Sequence, residues 1–397
     1  MPLSGITVGI PREIMPGERR VAAVPDTVSA MITGGAAVML EAGAGEGAYI
    51  TDDCYRKKGA IIIDSPLELY KKANLILKVK EPLYSEQFKC HEAELLSPGS
   101  ILIAFLHPAH KVNHACLKIL AERNITSFTL DGVPRISKAQ QMDALTSMST
   151  VAGYKAVIFA AGHLGRFIPM ISTSIGIIKP AQFLIIGSGV AGLQAVATAK
   201  RLGAVVKTLD IRPEANEQAR SLGAENIEFE IPRELTVGRG GYARRLSEAW
   251  YAKERDILKP HVAASDAVIL TALIPGETAP TLVDKTMLAG MKKGSVIVDI
   301  AVDQGGNCSL TRCGEDYEYE GTTISGIMNV PATLPVDATN MFAWNAWHFL
   351  SYLVQNGRIN TSREDEIVES TMVTYSGQIV HYGALLAMGL AKEINNR

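Results

Sequence analysis

Cysteine is scarce in this chain, and the few cysteines form no recognisable pattern. The 397 residues contain five cysteines, an odd number, spread from Cys54 to Cys313. Cys308 and Cys313 lie closest together, but they have no companion ligands at a metal-like spacing. The sequence therefore predicts neither a disulfide framework nor a bound metal, and a reducing cytosol suits this cysteine usage best.

Clusters of positive charge and long apolar runs are missing as well. The formal net charge is −2 and no lysine- and arginine-rich run is present, which argues against a general attraction to nucleic acid or anionic lipid. No stretch approaches the roughly 18 uninterrupted apolar residues of a membrane span. The N-terminal sequence also lacks a basic start followed by an apolar core. We expect a cytoplasmic protein without a nucleic acid partner and without a membrane-inserted segment.

The chain does contain enough apolar sequence for two cores. Hydrophobic residues make up 47% and charged residues 20% of the 397 residues, a length that predicts about two domains at roughly 150 residues each. Apolar runs alternate with stretches of helical periodicity such as 190–202 and 281–291, so the pattern predicts repeated βαβ units and parallel sheets. The strand-like runs are ITVGI, AAVMLEAG, LILKVK and SILIAFL in a first set, and FLIIGSG, AVVKTLDI, DAVILTAL and SVIVDIA in a second set.

Two further helix-like segments flank the second set. We expect residues 138–164 to cross between the two sets, and the apolar segment 340–357 to return to the first domain. The second segment is too apolar to remain entirely in water, and exposed apolar patches of this kind mark interfaces. It therefore predicts a homo-oligomer through Trp344, Trp347, Phe349, Leu350 and Leu353.

The strongest local motif is FLIIGSGVAGLQAVATAKRLGAVVKTLDIR. Gly187, Gly189 and Gly192 form G-x-G-x-x-G between a predicted strand and a predicted helix, where missing side chains let a pyrophosphate approach the backbone. Asp210 follows at the end of the next strand, where a carboxylate can bind both ribose hydroxyls. Asp210 would repel a 2′-phosphate and so favours NAD over NADP, although the nearby Arg212 is the residue type that accommodates NADP. The motif predicts a bound dinucleotide.

Two more loops belong to the same predicted sheet edge. In the segment VIVDIAVDQGGNC, Asp303 follows a buried strand just before Gly305 and Gly306. It is either a simple turn residue or a carboxylate at the nicotinamide edge, because ligands lie beyond the carboxyl ends of such strands. In LTALIPGETAP, Pro275 and Gly276 would turn the chain near the adenosine, although an ordinary loop explains these residues equally well.

Polar side chains also follow the strands of the first set. Arg20, Lys78, Lys80, Glu81 and His107 lie before or just after apolar runs. Each one taken singly is ordinary, since most such lysines are solvated and most such histidines are packed. Together they form a candidate site, because an arginine grips a carboxylate, a lysine with a lowered pKa acts as a base, and a histidine titrates near neutrality.

These residues stand within long motifs that resemble one superfamily over nearly the whole chain. The segments IPRE…RRVA, PRISKAQQMDALTSMSTVAGY, GSGVAGLQAVATAKRLGA, TALIPG…AP and GGNC are similar to those of alanine dehydrogenases and transhydrogenase alpha subunits. The resemblance implies an α/β fold of two doubly wound parallel-sheet (Rossmann-like) domains with NAD in the cleft between them. It implies a discontinuous substrate-side domain, 1–135 with 330–397, and an NAD-binding domain, 136–329.

The two branches of the superfamily imply different chemistry. In the contexts KVKEP, FLHPA and DIAVDQGG, the chain resembles the dehydrogenase substrate site, with Arg20, Lys80, His107 and Asp303 as catalytic residues. The segments RISKAQQMDALTS and DEIVESTMVTYSGQIVH instead resemble transhydrogenase NAD(H)-binding subunits. In those subunits Arg135, Gln140 and Asp143 would hold the nicotinamide end, and GRGGYARRLSEAW, 238–250, would be a mobile loop carrying Tyr242.

The chemistry favours the dehydrogenase, because buried charges around a carbonyl are costly unless they are used. Oxidative deamination of a small L-amino acid would then use Arg20 for the substrate carboxylate, Lys80 for the carboxylate or carbonyl, His107 as acid and base, and Asp303 to polarise the amine or water. The alternative is a nucleotide-binding subunit that docks on membrane transhydrogenase subunits, and a third possibility is a silent NAD-binding regulator. The expected cofactor-binding residues are Arg135, Gln140, Asp143, Ser149, Gly187, Gly189, Val190, Ala191, Gly192, Asp210, Ile211, Arg212, Leu273 and Asn329.

Overall fold

The computed structural model describes residues 2–238, 243–274, 278–355 and 357–391. The chain divides into two compact units, a first unit of Met1–Met148 with Ala332–Arg397 and a second unit of Ser149–Pro331. The first unit extends past the predicted boundary at residue 135 because Ser137–Met142 packs on the C-terminal helix Pro335–Leu353. Asn345 Nδ2 donates to the carbonyl of Gln141 at 2.8 Å and fixes this contact.

The first unit is built on an eight-stranded sheet. Its six N-terminal strands run parallel, and the two C-terminal strands join antiparallel at one edge. The central strand Leu75–Leu77 is buried along its whole length, as its apolar run predicts. In spatial order the strands are Gln378–Ile379, Met372–Tyr375, Thr126–Thr129, Ile101–Ala104, Leu75–Leu77, Thr7–Ile10, Ala37–Glu41 and Ile61–Ile63.

The second unit is built on a seven-stranded sheet, parallel except for one edge strand. The chain reverses its direction of winding between Gln182–Ile186 and Ala267–Leu270, so the binding crevice of a doubly wound sheet lies beyond these two strands. The two sheets confirm the predicted fold class. In spatial order the strands are Glu225–Asn226, Val205–Leu209, Gln182–Ile186, Ala267–Leu270, Val296–Asp299, Thr322–Ser325 and Asp316–Tyr319.

Helices connect the strands in both units. The α-helices are Pro25–Thr33, Asp52–Arg56, Pro66–Lys72, Glu92–Leu95, His114–Glu122, Ala144–His163, Val190–Arg201, Pro213–Ser221, Glu248–Ala264, Lys285–Leu288, Pro335–Leu353, Glu366–Thr371 and Tyr382–Ala387. Short 3₁₀ turns lie at Glu46–Ala48, Lys111–Asn113, Leu130–Gly132, Ser137–Met142, Arg233–Leu235, Val302–Gln304 and Val330–Thr333. Two-stranded hairpins pair Tyr84–Ser85 with Cys90–His91, Ile171–Thr173 with Gly176–Ile178, and Val354–Gln355 with Arg358–Ile359.

The predicted helix at 281–291 is much shorter in the structure. Only Lys285–Leu288 is helical, because the Asp284 carboxylate accepts hydrogen bonds from the backbone of Thr286 and Met287 and starts the helix there. The helix predicted at 190–202 is present as Val190–Arg201.

One helix of the described residues, Ala144–His163, is long and apolar enough to cross a membrane by length and composition, which the search for uninterrupted apolar runs did not anticipate. Its residues Ala156, Val157 and Ala160 are buried in a core cluster of the second unit. Since core helices of soluble proteins pass the same test, this helix is weak support for a membrane span.

The C-terminal helix Pro335–Leu353 spends most of its apolar surface inside its own unit. Phe349, Leu350 and Leu353 are fully buried, and the rings of Phe349 and Phe128 lie 6.0 Å apart. Trp344 and Trp347 remain half-buried. The predicted interface through all five residues is therefore wrong for three of them, because the sheet of the first unit already covers those side chains.

Candidate nucleotide site

The glycine motif forms the expected cradle between the strand Gln182–Ile186 and the helix Val190–Arg201. Gly187 has φ of +91°, a conformation that favours glycine. A Cβ at Gly192 would lie 1.9 Å from the carbonyl oxygen of Gly187, so only glycine fits there. The Ser188 hydroxyl is buried, and within the described part of the chain it has no hydrogen-bond partner. A cradle open to a phosphate and an unsatisfied hydroxyl both fit a dinucleotide.

Asp210 ends the next strand and faces the glycine motif. One of its oxygens, Oδ2, accepts a hydrogen bond from the backbone N–H of Ser188 at 2.7 Å. The guanidinium of Arg212 donates to both carboxylate oxygens, from Nε at 2.9 Å and from Nη2 at 2.8 Å. The structure therefore brings these two predicted residues together as a bidentate ion pair. Val190, Ala191 and Ile211 lie half-buried beside them in the chain.

A buried network that the sequence analysis missed joins the other loops at the carboxyl edge of this sheet. Asn307 is fully buried, and its side chain exchanges hydrogen bonds of 2.9 Å with the backbone N–H and C=O of Ala272. The Asp299 carboxylate accepts from the backbone of Asn307 at 2.7 Å and of Cys308 at 3.0 Å. Burial raises the pKa of Asp299 despite these hydrogen bonds. This network holds the loop that contains the half-buried Leu273.

Asp303 is exposed and lies in the 3₁₀ turn Val302–Gln304. The buried carboxylate of this segment is instead Asp299, whose desolvation is offset by the backbone donors that it holds. The argument that a buried charge at Asp303 must have a catalytic use is therefore wrong. Asn329, beyond the strand Thr322–Ser325, is half-buried with φ of 47°.

Ser149 lies on the helix Ala144–His163, one turn before Gly153. A Cβ at Gly153 would lie 2.0 Å from the carbonyl oxygen of Ala191, so the two helices touch at this point. Ser149 is thereby placed on a helix that packs directly against the glycine-motif helix. Tyr242, Pro275 and Gly276, which the sequence analysis placed in loops near the nucleotide, lie outside the described residues.

Arg20 of the first unit is already paired with a carboxylate of the protein. Its Nε donates to Glu18 Oε1 at 2.8 Å and its Nη2 donates to Glu18 Oε2 at 2.5 Å. Both side chains are almost completely buried. A third nitrogen, Nη1, lies 3.1 Å from the sulfur of Met148. The predicted role of Arg20, the grip on a substrate carboxylate, is filled here by Glu18.

The buried lysine after the strand Leu75–Leu77 is Lys78, whereas Lys80 is only half-buried. Lys78 Nζ donates to Glu92 at 2.8 Å and lies 3.4 Å from Glu13. Glu13 also accepts from the backbone N–H of Val79 at 2.6 Å and so fixes the strand end. Burial raises the pKa of Glu13 to about 7, against the opposing charge of Lys78 and with the like charge of Glu92.

His107 and Lys80 lie near a pair of carboxylates at the same sheet edge. His107 Nδ1 is 3.4 Å from Glu81 Oε2, and its backbone N–H donates to Asp131 at 3.4 Å. Burial opposes protonation of His107, but the charges of Asp131 and Glu81 outweigh burial and raise its pKa. Burial likewise opposes ionisation of Glu81, yet His107 and Lys80 lower its pKa to about 2. The structure thus brings together a charged pair with a neighbouring lysine.

The predicted nicotinamide-end residues lie around the start of the helix Ala144–His163. Arg135 and Gln140 are exposed, Gln140 within the 3₁₀ turn Ser137–Met142. The Asp143 carboxylate accepts from the backbone N–H of Thr146 at 2.7 Å and from its hydroxyl at 2.6 Å, which caps the helix. Of the residues described, no group of three or more histidines, cysteines and carboxylates could hold a metal ion.

Comparison with known proteins agrees with this geometry. Residues 9–152 match the alanine dehydrogenase/PNT N-terminal domain, and residues 156–382 match the alanine dehydrogenase/PNT C-terminal domain. The chain belongs to the alanine dehydrogenase/PNT family. This family comprises NAD-dependent oxidoreductases that bind NAD(H).

The relatives of the chain within the family differ in their degree of similarity. An NAD(P) transhydrogenase alpha subunit of Rhodospirillum rubrum is 40% identical over 94% of this chain and 97% of its own length. Alanine dehydrogenase of Mycobacterium tuberculosis is 32% identical over 98% of this chain and 96% of its own length. The structure of a transhydrogenase from Sinorhizobium meliloti superposes with a TM-score of 0.80 at 38% identity, covering 95% of this chain and 99% of that one. These values support the transhydrogenase alternative better than the preferred amino acid dehydrogenase.

Proposed function

We propose that this chain is the NAD(H)-binding component of a proton-translocating NAD(P) transhydrogenase. The greater similarity to transhydrogenase alpha subunits, 40% against 32% identity, supports this assignment. The nicotinamide supplies the hydride chemistry when it is bound. The glycine motif would hold the pyrophosphate, and Asp210 would accept the ribose hydroxyls.

The observation that carries the proposal is the ion pair between Arg20 and Glu18. An amino acid dehydrogenase needs a cation ready for the substrate carboxylate, but the fork of Arg20 is engaged on both sides by Glu18. Opening a buried bidentate pair is costly, because both charges lose their partners away from water. Hydride transfer between two nicotinamides requires no small-molecule carboxylate and leaves this pair undisturbed.

This function implies a cytoplasmic location and docking on membrane-bound subunits that carry the NADP(H) site. It also assigns the glycine motif and its neighbours to an NAD-binding domain, 136–329, that is distinct from the discontinuous domain 1–135 with 330–397. We propose that the chain forms a homo-oligomer through the face that carries the half-buried Trp344 and Trp347. A monomeric mass by light scattering at micromolar concentration would contradict this last point.

Reconstitution tests the proposal directly. The purified chain is added to transhydrogenase membranes from which the alpha subunit has been removed, and hydride transfer from NADPH to a chromophoric NAD analogue is followed by absorbance. The rate should depend on both the chain and the membranes. An Asp210→Ala variant should restore less activity at a limiting concentration of the analogue, while Arg220→Ala, an exposed residue of the neighbouring helix, should match the wild type. Failure to restore transfer would contradict the assignment.

A second candidate function rests on Lys80, Glu81 and His107. These side chains form a charged cluster at one sheet edge, a composition that suits acid–base chemistry on a small substrate. Under this function the chain alone would form NADH from NAD and a small L-amino acid, and His107→Gln would lower kcat by roughly 10²-fold. His110→Gln, an exposed neighbour, is the matched control. Absence of NADH formation across a panel of amino acids would eliminate this candidate.

A further inference from the structure

The Asp210 carboxylate is saturated with hydrogen-bond donors from its own chain. Oδ1 accepts from the backbone N–H of Arg212 at 2.8 Å and from its Nε at 2.9 Å. Oδ2 accepts from the backbone N–H of Ser188 at 2.7 Å and from Arg212 Nη2 at 2.8 Å. A carboxylate has about four acceptor positions. Two ribose hydroxyls therefore find no acceptor on Asp210 unless protein donors leave.

Of these four donors, only the two from the guanidinium can leave without unfolding the loop. The two backbone donors belong to the glycine motif and to the start of the helix Pro213–Ser221. The Arg212 side chain is 15% exposed, whereas the carboxylate is 4% exposed, so the guanidinium has a route to solvent. Its Nη2 lies 3.6 Å from the position of a Cβ on Gly189. The guanidinium thus lies over the glycine motif and covers the carboxylate from the ligand side.

We propose that Arg212 is an internal competitor of the cofactor, a fork that occupies the ribose-binding carboxylate and must swing away before NAD(H) binds. The proposal rests on the proposed function only in taking a ribose diol as the ligand of Asp210. The arginine fork and the diol offer the same two donors, so each excludes the other. The affinity for NAD(H) is reduced by the fraction of molecules in which the pair is closed. A component that exchanges nucleotide at every turnover gains faster release from such a competitor.

Arg212→Gln tests this inference through binding alone. NADH is titrated into the full-length chain and the dissociation constant is measured from nucleotide fluorescence and by calorimetry. Removing the competitor should tighten NADH binding by roughly fivefold, the equivalent of a partly exposed ion pair of about 1 kcal/mol. Arg220→Gln removes one positive charge from the same helix without touching Asp210, and it should leave the dissociation constant unchanged.

The opposite sign of the effect would overturn the inference. Weaker NADH binding by Arg212→Gln would show that the guanidinium holds the cofactor, and an unchanged dissociation constant would show that the pair does not compete. Arg212→Lys keeps the charge but loses the planar fork, so its NADH affinity should fall between those of the wild type and Arg212→Gln. An affinity of this lysine variant at or below that of the wild type would also count against the inference. If the wild type binds NADH but fails in the membrane reconstitution, the proposed function fails while this inference remains testable.

Discussion

Replacing Glu254 by Gln should remove a strong pH dependence from the stability of the second unit. Glu254 is 3% exposed on the helix Glu248–Ala264. Burial, and then the charge of Asp210, raise its pKa from 4.5 to about 8, while Arg255 opposes this shift. The folded chain therefore keeps a proton that the unfolded chain releases near pH 4.5. The stability from the neutral carboxyl is fully present below pH 4.5 and is lost as the pH rises to about 8.

The size of the effect follows from linkage between protonation and folding. Between these two pH values the folded state binds one more proton, so the free energy of unfolding falls by about 1.4 kcal/mol per pH unit. From pH 4.5 to about 8 this loss reaches about 5 kcal/mol as an upper value. The glutamine variant carries no proton to lose. The difference in free energy of unfolding between Glu254→Gln and the wild type should therefore grow steadily over this range.

The measurement needs a signal from the second unit only. The chain has three tryptophans, of which Trp250 lies on the same helix as Glu254, whereas Trp344 and Trp347 belong to the first unit. Urea unfolding is followed by fluorescence from pH 5 to pH 8 in a chain where Trp344 and Trp347 are replaced by Phe. Asp256→Asn, an exposed carboxylate on the same helix, is the control and should not change the slope. A growth of less than about 1 kcal/mol across the range would refute the assignment of a buried neutral carboxyl.

Three other outcomes are expected from the described contacts. Asp210→Asn should abolish the preference for NADH over NADPH, which we expect to be at least roughly tenfold in the wild type, and calorimetry with both nucleotides checks this; equal affinities in the wild type would contradict it. Glu81→Gln should lower the pKa of His107, because it removes a carboxylate 3.4 Å from Nδ1; an NMR titration of the imidazole that shows no shift would dismiss the pair. Lys78→Met should cost roughly 3–5 kcal/mol of stability because it leaves two buried carboxylates without their cation, whereas the half-buried Lys80→Met should cost much less; similar losses in urea unfolding would refute this distinction.

The sequence alone determined the features that depend on neighbours along the chain. Alternating apolar runs and helical stretches predicted two doubly wound sheets, because strand burial and helix periodicity are local patterns. The glycine motif predicted its own turn, since the φ of Gly187 and the missing Cβ of Gly192 are requirements within six residues. The strand after it predicted the position of Asp210.

Only the tertiary structure decided which charges are buried and with what partner. Lys78 and Lys80 follow the same strand and look alike in sequence, but Lys78 meets Glu13 and Glu92, which come from distant points of the chain. Likewise, the composition of residues 297–308 suggested a buried charge at Asp303, whereas the fold buries Asp299 against the backbone of its returning loop. Partners of this kind are set by the path of the backbone in three dimensions, and the cost of burying a charge depends on those partners rather than on the residue itself.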